Sequence, residues 1–189
     1  DVQKIGDVLL KNPAVLQIAA KVNTVPEISQ LGYFASPALK GPLLRYLIKS
    51  KNWQQVLVFT ASVYQADLVA DKLLKNGITA RAMHSKKSQG SRREALADFK
   101  AGSLRVLVAT DLLARGIDIE FLPIVVNYEL PRSPKDFIHR IGRTGRAENP
   151  GEALTFVSED EAHHFRVIQK KMKYWVTMVN AENLDLKGY

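Results

Sequence analysis

The chain has 189 residues, 46% of them hydrophobic, four histidines, no cysteine and a formal net charge of +8. That apolar content builds a packed core and excludes a disordered chain. The absence of cysteine excludes disulfides and thiolate metal centres, and no apolar run approaches the roughly 20 residues a membrane-spanning helix needs. The N-terminus, DVQKIGDVLL, lacks a signal-peptide layout, so a soluble intracellular protein is expected, and the start at Asp1 rather than Met reads as an excised fragment. Between residues 81 and 146 there are thirteen Lys or Arg against seven Asp or Glu. Such a concentration forms either a face for nucleic acid or another polyanion, or an ordinary solvated surface.

In chain order, residues 4 to 11 read as a short amphipathic helix, and 14 to 28 as a connector broken by Pro26. A strand is expected over 31–35. A helix follows over 37–51, with Leu39, Leu43, Leu44 and Leu47 on one stripe. The apolar run VLVF at 56–59 has the pattern of a strand buried on both faces. A helix from about 63 to 76 is closed by Gly77, and a strand occupies 78–83. A helix over 88–100 ends at Gly102, and strands fall at 104–109 and 123–127. A short helix starts near Pro134, a strand spans 153–157, and a long helix spans 159–172. Trp53 and Trp175 read as packing residues. Strands alternating with helices at this spacing imply right-handed βαβ units and a parallel sheet.

Ligands of such sheets sit beyond the carboxyl ends of the strands. The polar segments expected to gather there are 60–62, 84–89, Thr110-Asp111 and 128–146. The densest is HRIGRTGR at 139–146, with three arginines and two glycines. Guanidinium groups stay charged and fork onto phosphate oxygens, so this run is built to meet a polyphosphate. In VATDLLARGID at 108–118, Thr110 offers a hydroxyl and an N–H to a phosphate. Asp118 is an acceptor suited to a sugar hydroxyl, and Arg115 stands beside the flexible Gly116. The bland alternative is a strand exit with a turn-forming Asp. Gln89 and Arg92 share the face of a helix's first turn, where free N–H groups favour a phosphate, and Ser91-x-x-Glu94 matches a capping box. The letters D-E-A-H at 160–163 spell an acidic metal motif, but Ser158-x-x-Glu161 reads as a helix cap. No G-x-x-x-x-G-K-[ST] phosphate loop exists for a metal motif to serve. His139 reads as a hydrogen-bonding group rather than a metal ligand, having no second ligand at suitable spacing, and no metal site is expected.

Taken in order, VLVFT (56–60), Gln89-x-x-Arg92, VATDLLARGID (108–118) and HRIGRTGR (139–146) resemble the C-terminal motifs of DEAD-box RNA helicases. NWQQVLVFT, ALADFK and VVNYELP are most similar to the bacterial RhlE group. The resemblance implies a RecA-like three-layer α/β/α fold with a mostly parallel central sheet. It divides the chain into the tail of a preceding ATPase domain and linker (1–28), the helicase domain (29–175) and a C-terminal extension (176–189). It also implies roles. Arg143 and Arg146 match arginine fingers reaching ATP on the N-terminal RecA-like domain, which would also hold most of the ATP and Mg2+. Arg115, Gly116 and Asp118 match ATP contacts, and Thr60, Gln89, Arg92 and Thr110 match positions on the RNA backbone path. His139 and Arg140 match groups that couple the two domains. The implied partners are RNA and that N-terminal domain, and no membrane; the implied location is cytoplasmic. His84-Ser85-Lys86 departs from the family's usual His-Gly-Asp, and Leu113 stands where a smaller residue is usual. The other readings are a non-catalytic module docking RNA or protein, and a DNA translocase of the same superfamily.

Overall fold

The computed structural model describes residues 28–111, 122–145 and 151–189. The helix expected over 4–11 lies outside these, as does nearly all of the 14–28 connector. Seven strands form one all-parallel sheet: β1 (Ile28–Phe34), β2 (Val56–Thr60), β3 (Ala80–Met83), β4 (Val106–Thr110), β5 (Ile124–Asn127), β6 (Gly151–Val157) and β7 (Thr177–Asn180). Their spatial order is β3-β4-β2-β5-β6-β1-β7. Five α-helices accompany them: α1 (Pro37–Ser50), α2 (Val63–Lys75), α3 (Gln89–Lys100), α4 (Pro134–Ile141) and α5 (Ala162–Met172).

Strand alternation sorts the core into two layers. Val56, Val58, Val106, Val108, Ile124, Val126, Leu154 and Phe156 point to the face covered by α1 and α2. Their neighbours point the other way. Leu57, Phe59, Leu107, Ala109 and Val125 pack with Ala95 and Phe99 of α3. Ala153 and Val157 pack with Phe137 of α4 and Phe165 and Ile168 of α5. The central strands are therefore buried on both faces, which is why they read as continuous apolar runs. The result is the expected RecA-like three-layer α/β/α arrangement.

Serines mark the helix starts. Ser62 Oγ accepts from Gln65 N–H at 3.1 Å, Ser88 Oγ from Ser91 N–H at 3.2 Å, and Ser133 Oγ from Asp136 N–H at 3.2 Å. The cap of α3 is thus Ser88, not the Ser91-x-x-Glu94 box, because Ser91 already lies inside the helix. Gly77 (φ 75°) and Gly102 (φ 79°) close α2 and α3 in the left-handed region, as the sequence indicates.

Three expectations shift. β1 begins at Ile28, inside the segment read as connector. Residues 177–180, read as part of an extension, pair with β1 as the sheet's edge strand. Its half-exposed pattern and four-residue length give a weak periodic signal. Trp53 is packed as expected, but Trp175 is 62% exposed.

Candidate RNA and nucleotide interface

The cleft expected at the carboxyl edge exists. It has a volume of about 420 Å³ and is lined by residues following β2 (Ala61, Val63), β3 (Ser85), β4 (Asp111) and β5 (Leu130, Pro131, Arg132), together with Thr110 and Asp136. Each strand ends and a polar loop begins at the same level of a parallel sheet, so four separate sequence segments meet.

One side chain holds this edge together. Arg140 projects from α4 and is only 2% exposed. Its Nε and Nη2 donate to Asp111 Oδ1 and Oδ2 at 2.6 and 2.8 Å. Its Nη1 donates to Glu129 O at 2.7 Å and Asn127 Oδ1 at 3.2 Å, and the guanidinium lies 5.0 Å from the Phe59 ring centroid. Arg140 therefore ties α4 to the ends of β4, β5 and β2. The bidentate fork also neutralises a carboxylate on the cleft wall. Glu129 extends the net, its Oε2 accepting from Ala61 N–H at 2.7 Å.

Arg140, which the resemblance matches to a group coupling the two domains, is buried here and makes its hydrogen bonds inside this one. Of the net's other members, Asp111 and Glu129 fall in the polar segments expected at this edge, without an assigned role, and Asn127 falls outside them. Their signal was a polar residue at the end of an apolar strand, which a turn former produces as readily.

The remaining candidates divide. Thr110 lines the cleft. Thr60 ends β2 but is fully enclosed, its hydroxyl donating to Ser62 O at 3.3 Å, so it presents no side chain to the cleft. Gln89 is exposed in the first turn of α3. Arg92, one turn on, is half-buried with an Nε that has no hydrogen-bond partner among the described residues. His84 is buried, with Nε2 at 3.0 Å from Asp67 Oδ2, while Lys87 Nζ reaches Asp67 Oδ1 at 2.9 Å. Burial opposes ionisation of Asp67, but hydrogen bonds from His84 and Lys87 outweigh it and hold the carboxyl below its ordinary range.

His139 is exposed on α4. Arg143 follows the same helix, its carbonyl accepting from Leu122 N–H at 3.0 Å. Thr144 is buried, and its hydroxyl donates to the Leu122 carbonyl and to Pro123 O at 3.3 Å. Leu122 and Pro123 precede β5, so the 143–144 turn lies at the opposite end of α4 from the cleft. Of the stretch expected on this edge, Leu130, Pro131, Arg132 and Asp136 line the cleft and the 143–144 turn does not. Arg115, Gly116, Asp118 and Arg146 lie outside the described residues, as does Leu113.

In the D-E-A-H stretch, Glu161 is taken up by a serine and a lysine of this domain. Glu161 Oε2 accepts from Ser158 N–H at 3.0 Å and Oγ–H at 2.7 Å, and from Lys40 Nζ at 2.6 Å. Burial opposes its ionisation, yet those donors, Lys40 foremost, hold its carboxyl below the usual carboxylate range. Ser158 is therefore not the helix cap the sequence indicates: α5 begins at Ala162 with Glu161 as its N-cap, and the Ser158–Glu161 contact closes the turn just before it.

An all-parallel sheet in this order, covered by helices on both faces and with a cleft at its carboxyl edge, defines a RecA-like α/β domain. The sequence profile described as "Helicase conserved C-terminal domain" matches residues 40–148, and the chain belongs to that family. Among similar proteins is the ATP-dependent rRNA helicase RRP3 of Encephalitozoon cuniculi, 34% identical over 89% of this chain and 42% of its own length. The DEAD-box ATP-dependent RNA helicase CshA of Bacillus licheniformis is 34% identical over 97% of this chain and 38% of its own length. The chain thus spans about two fifths of these relatives. The C-terminal domain of the DEAD-box protein Dbp5 superposes with a TM-score of 0.78 at 32% identity, covering 86% of this chain and 95% of that one. Escherichia coli SrmB, solved bound to the regulator of ribonuclease activity A, has the same TM-score at 31% identity, covering 86% and 96%.

Proposed function

We propose that this chain is the C-terminal half of a DEAD-box ATP-dependent RNA helicase, of the RhlE group, working in the cytoplasm. In this reading it closes onto RNA and onto ATP held by an N-terminal RecA-like domain. The observation that carries the reading is the carboxyl-edge cleft, whose wall includes Thr110 and Asp111 of VATDLLARGID and, in Ala61, the residue that directly follows VLVFT. Thr110 and the first turn of α3, with Gln89 and Arg92, offer hydroxyl, amide and guanidinium donors to the RNA backbone. Such contacts are largely independent of base sequence. Thr60 contributes through its place at the end of β2 rather than through its hydroxyl.

On the nucleotide side, Arg143 and Arg146 act as fingers, supplying positive charge where negative charge develops on the transferred phosphoryl group. Arg115, Gly116 and Asp118 contact the nucleotide. His139 faces the N-terminal domain, and Arg140 acts at one remove by fixing Asp111. Mg2+ is assigned to the other domain together with most of the ATP contacts. RNA and that domain are the partners. Coupling of hydrolysis to strand opening requires both halves.

The test is RNA-stimulated ATPase in the two-domain parent. Arg143→Ala lowers turnover by about 10³-fold or more, the range for arginine fingers in related phosphoryl transfer, with the melting temperature unchanged. Wild-type turnover in that variant refutes the finger assignment.

A further inference from the structure

The cleft does not use the most unusual surface of the molecule, the outer face of α5 and the turn that ends it. From Ala162 to Val176 the chain carries four Lys or Arg and no Asp or Glu. Arg166, Lys170, Lys171 and Lys173 are all exposed, and none has an ion-pair partner among the described residues. Arg166 and Lys170 are four residues apart, as are Val167 and Lys171, so each pair shares a line of the helix, and Lys173, Tyr174 and Trp175 follow in the turn that ends it.

The helix ends in a locked turn. Lys173 N–H donates to Lys170 O and Tyr174 N–H to Gln169 O, both at 3.3 Å, and the buried Gln169 Oε1 accepts from Val176 N–H at 2.8 Å. Two large aromatics are therefore held on ordered backbone while 47% (Tyr174) and 62% (Trp175) exposed. Lys173 itself sits at φ 54°, in the left-handed region where α2 and α3 place glycine. A lysine there is strained relative to glycine, and such strain marks positions where the side chain is wanted. Cations in a last turn also suit the helix dipole, but that accounts neither for Arg166 nor for the exposed rings.

We propose that this face is an accessory site for single-stranded RNA. Arg166, Lys170 and Lys173 meet backbone phosphates, and Tyr174 and Trp175 stack on bases. The inference rests on the RNA-binding reading above and extends it to a second surface. α5 connects the two: His164 Nε2 lies 2.7 Å from Pro131 O on the cleft wall, and the eleven residues of α5 lead about 16 Å away from it. A strand leaving the cleft can follow α5 to the aromatic pair.

The chain's own fluorescence tests this, because Trp175 is exposed and Trp53 buried. Titration with a labelled single-stranded oligouridylate, followed by anisotropy and by tryptophan emission, is expected to quench Trp175 in step with binding. Trp175→Ala should weaken binding about tenfold. Lys173→Gly relieves the backbone strain, so it should keep or raise the melting temperature while weakening RNA binding severalfold. A purely structural lysine would leave binding unchanged, and that result overturns the lysine's role. Unaltered Trp175 emission at saturating RNA overturns the site and leaves the face to a protein partner. The two readings fail separately: loss of binding in Arg92→Ala with Trp175 silent keeps the cleft alone, and the converse keeps this face alone.

Discussion

Arg140 shows how little of a motif residue's role its letter carries. Read along the chain, it is one of three arginines in HRIGRTGR, and all three look alike. In the fold it is enclosed, and four of its hydrogen bonds go to Asp111, Asn127 and Glu129. Removing one partner of a buried ion pair strands the other, which costs about 3–5 kcal/mol. Arg140→Ala should therefore lower stability to urea by an amount in that range. Arg140→Lys should recover only part of it, since an ammonium cannot reproduce the two-pronged contact with Asp111. A loss under about 1 kcal/mol in Arg140→Ala would show that the net does not bear on stability. Arg143, three residues on, is half-buried. Arg140 lies with Phe137 and Ile141 on the inner face of α4, whereas Arg143 falls beyond the helix, which ends at Ile141.

At the scale of elements, the most constrained junction is the one between the 143–145 turn and β6. A Cβ built on Gly151 would lie 1.9 Å from Thr144 Oγ1 and 2.4 Å from Gly145 N. The second of these is backbone, which a rotamer change cannot move aside. Gly151→Ala should thus force the turn away from Leu122 and Pro123 and cost about 1–3 kcal/mol, the usual penalty of overpacking, or more. Amide exchange of Thr144 and Leu122 would rise with it; unchanged exchange would show that the turn has room the geometry denies. Because Arg143 rides on this turn, the same variant is expected to lose ATPase in the two-domain parent without touching any arginine. The capping serines belong to this scale as well. They were legible as residue types, but the choice of Ser88 over Ser91 depended on which backbone turned first.

Across the whole molecule, charge and shape divide the work. The sheet lays the cleft along one edge, and α3 brings its first turn toward that edge with Arg92. If RNA meets this surface mainly through phosphates, affinity falls linearly in log–log terms with salt, with a slope set by the number of contacts. Arg92→Ala should weaken RNA binding for all sequences alike and reduce that slope by roughly 0.7, the single-strand value per phosphate contact. An identical salt titration in the variant would remove Arg92 from the interface.

What the sequence alone determined was the alternation of apolar strands and amphipathic helices, and with it the layered parallel fold. Its motif segments also pointed to the carboxyl edge as a site. These properties are local: burial on two faces writes a continuous apolar run, and a helix on a sheet writes a stripe. What only the tertiary structure decided was which polar groups face the ligand and which face each other. Thr60 and Arg140 turned inward, Thr110 stayed on the cleft wall, and Arg143 went to the far end of α4. Trp175 stood out in solvent while β7 joined an edge that periodicity barely signalled. A charged or hydroxyl side chain satisfies its hydrogen bonds with protein or with ligand equally well, and only the partners brought together by the fold settle which.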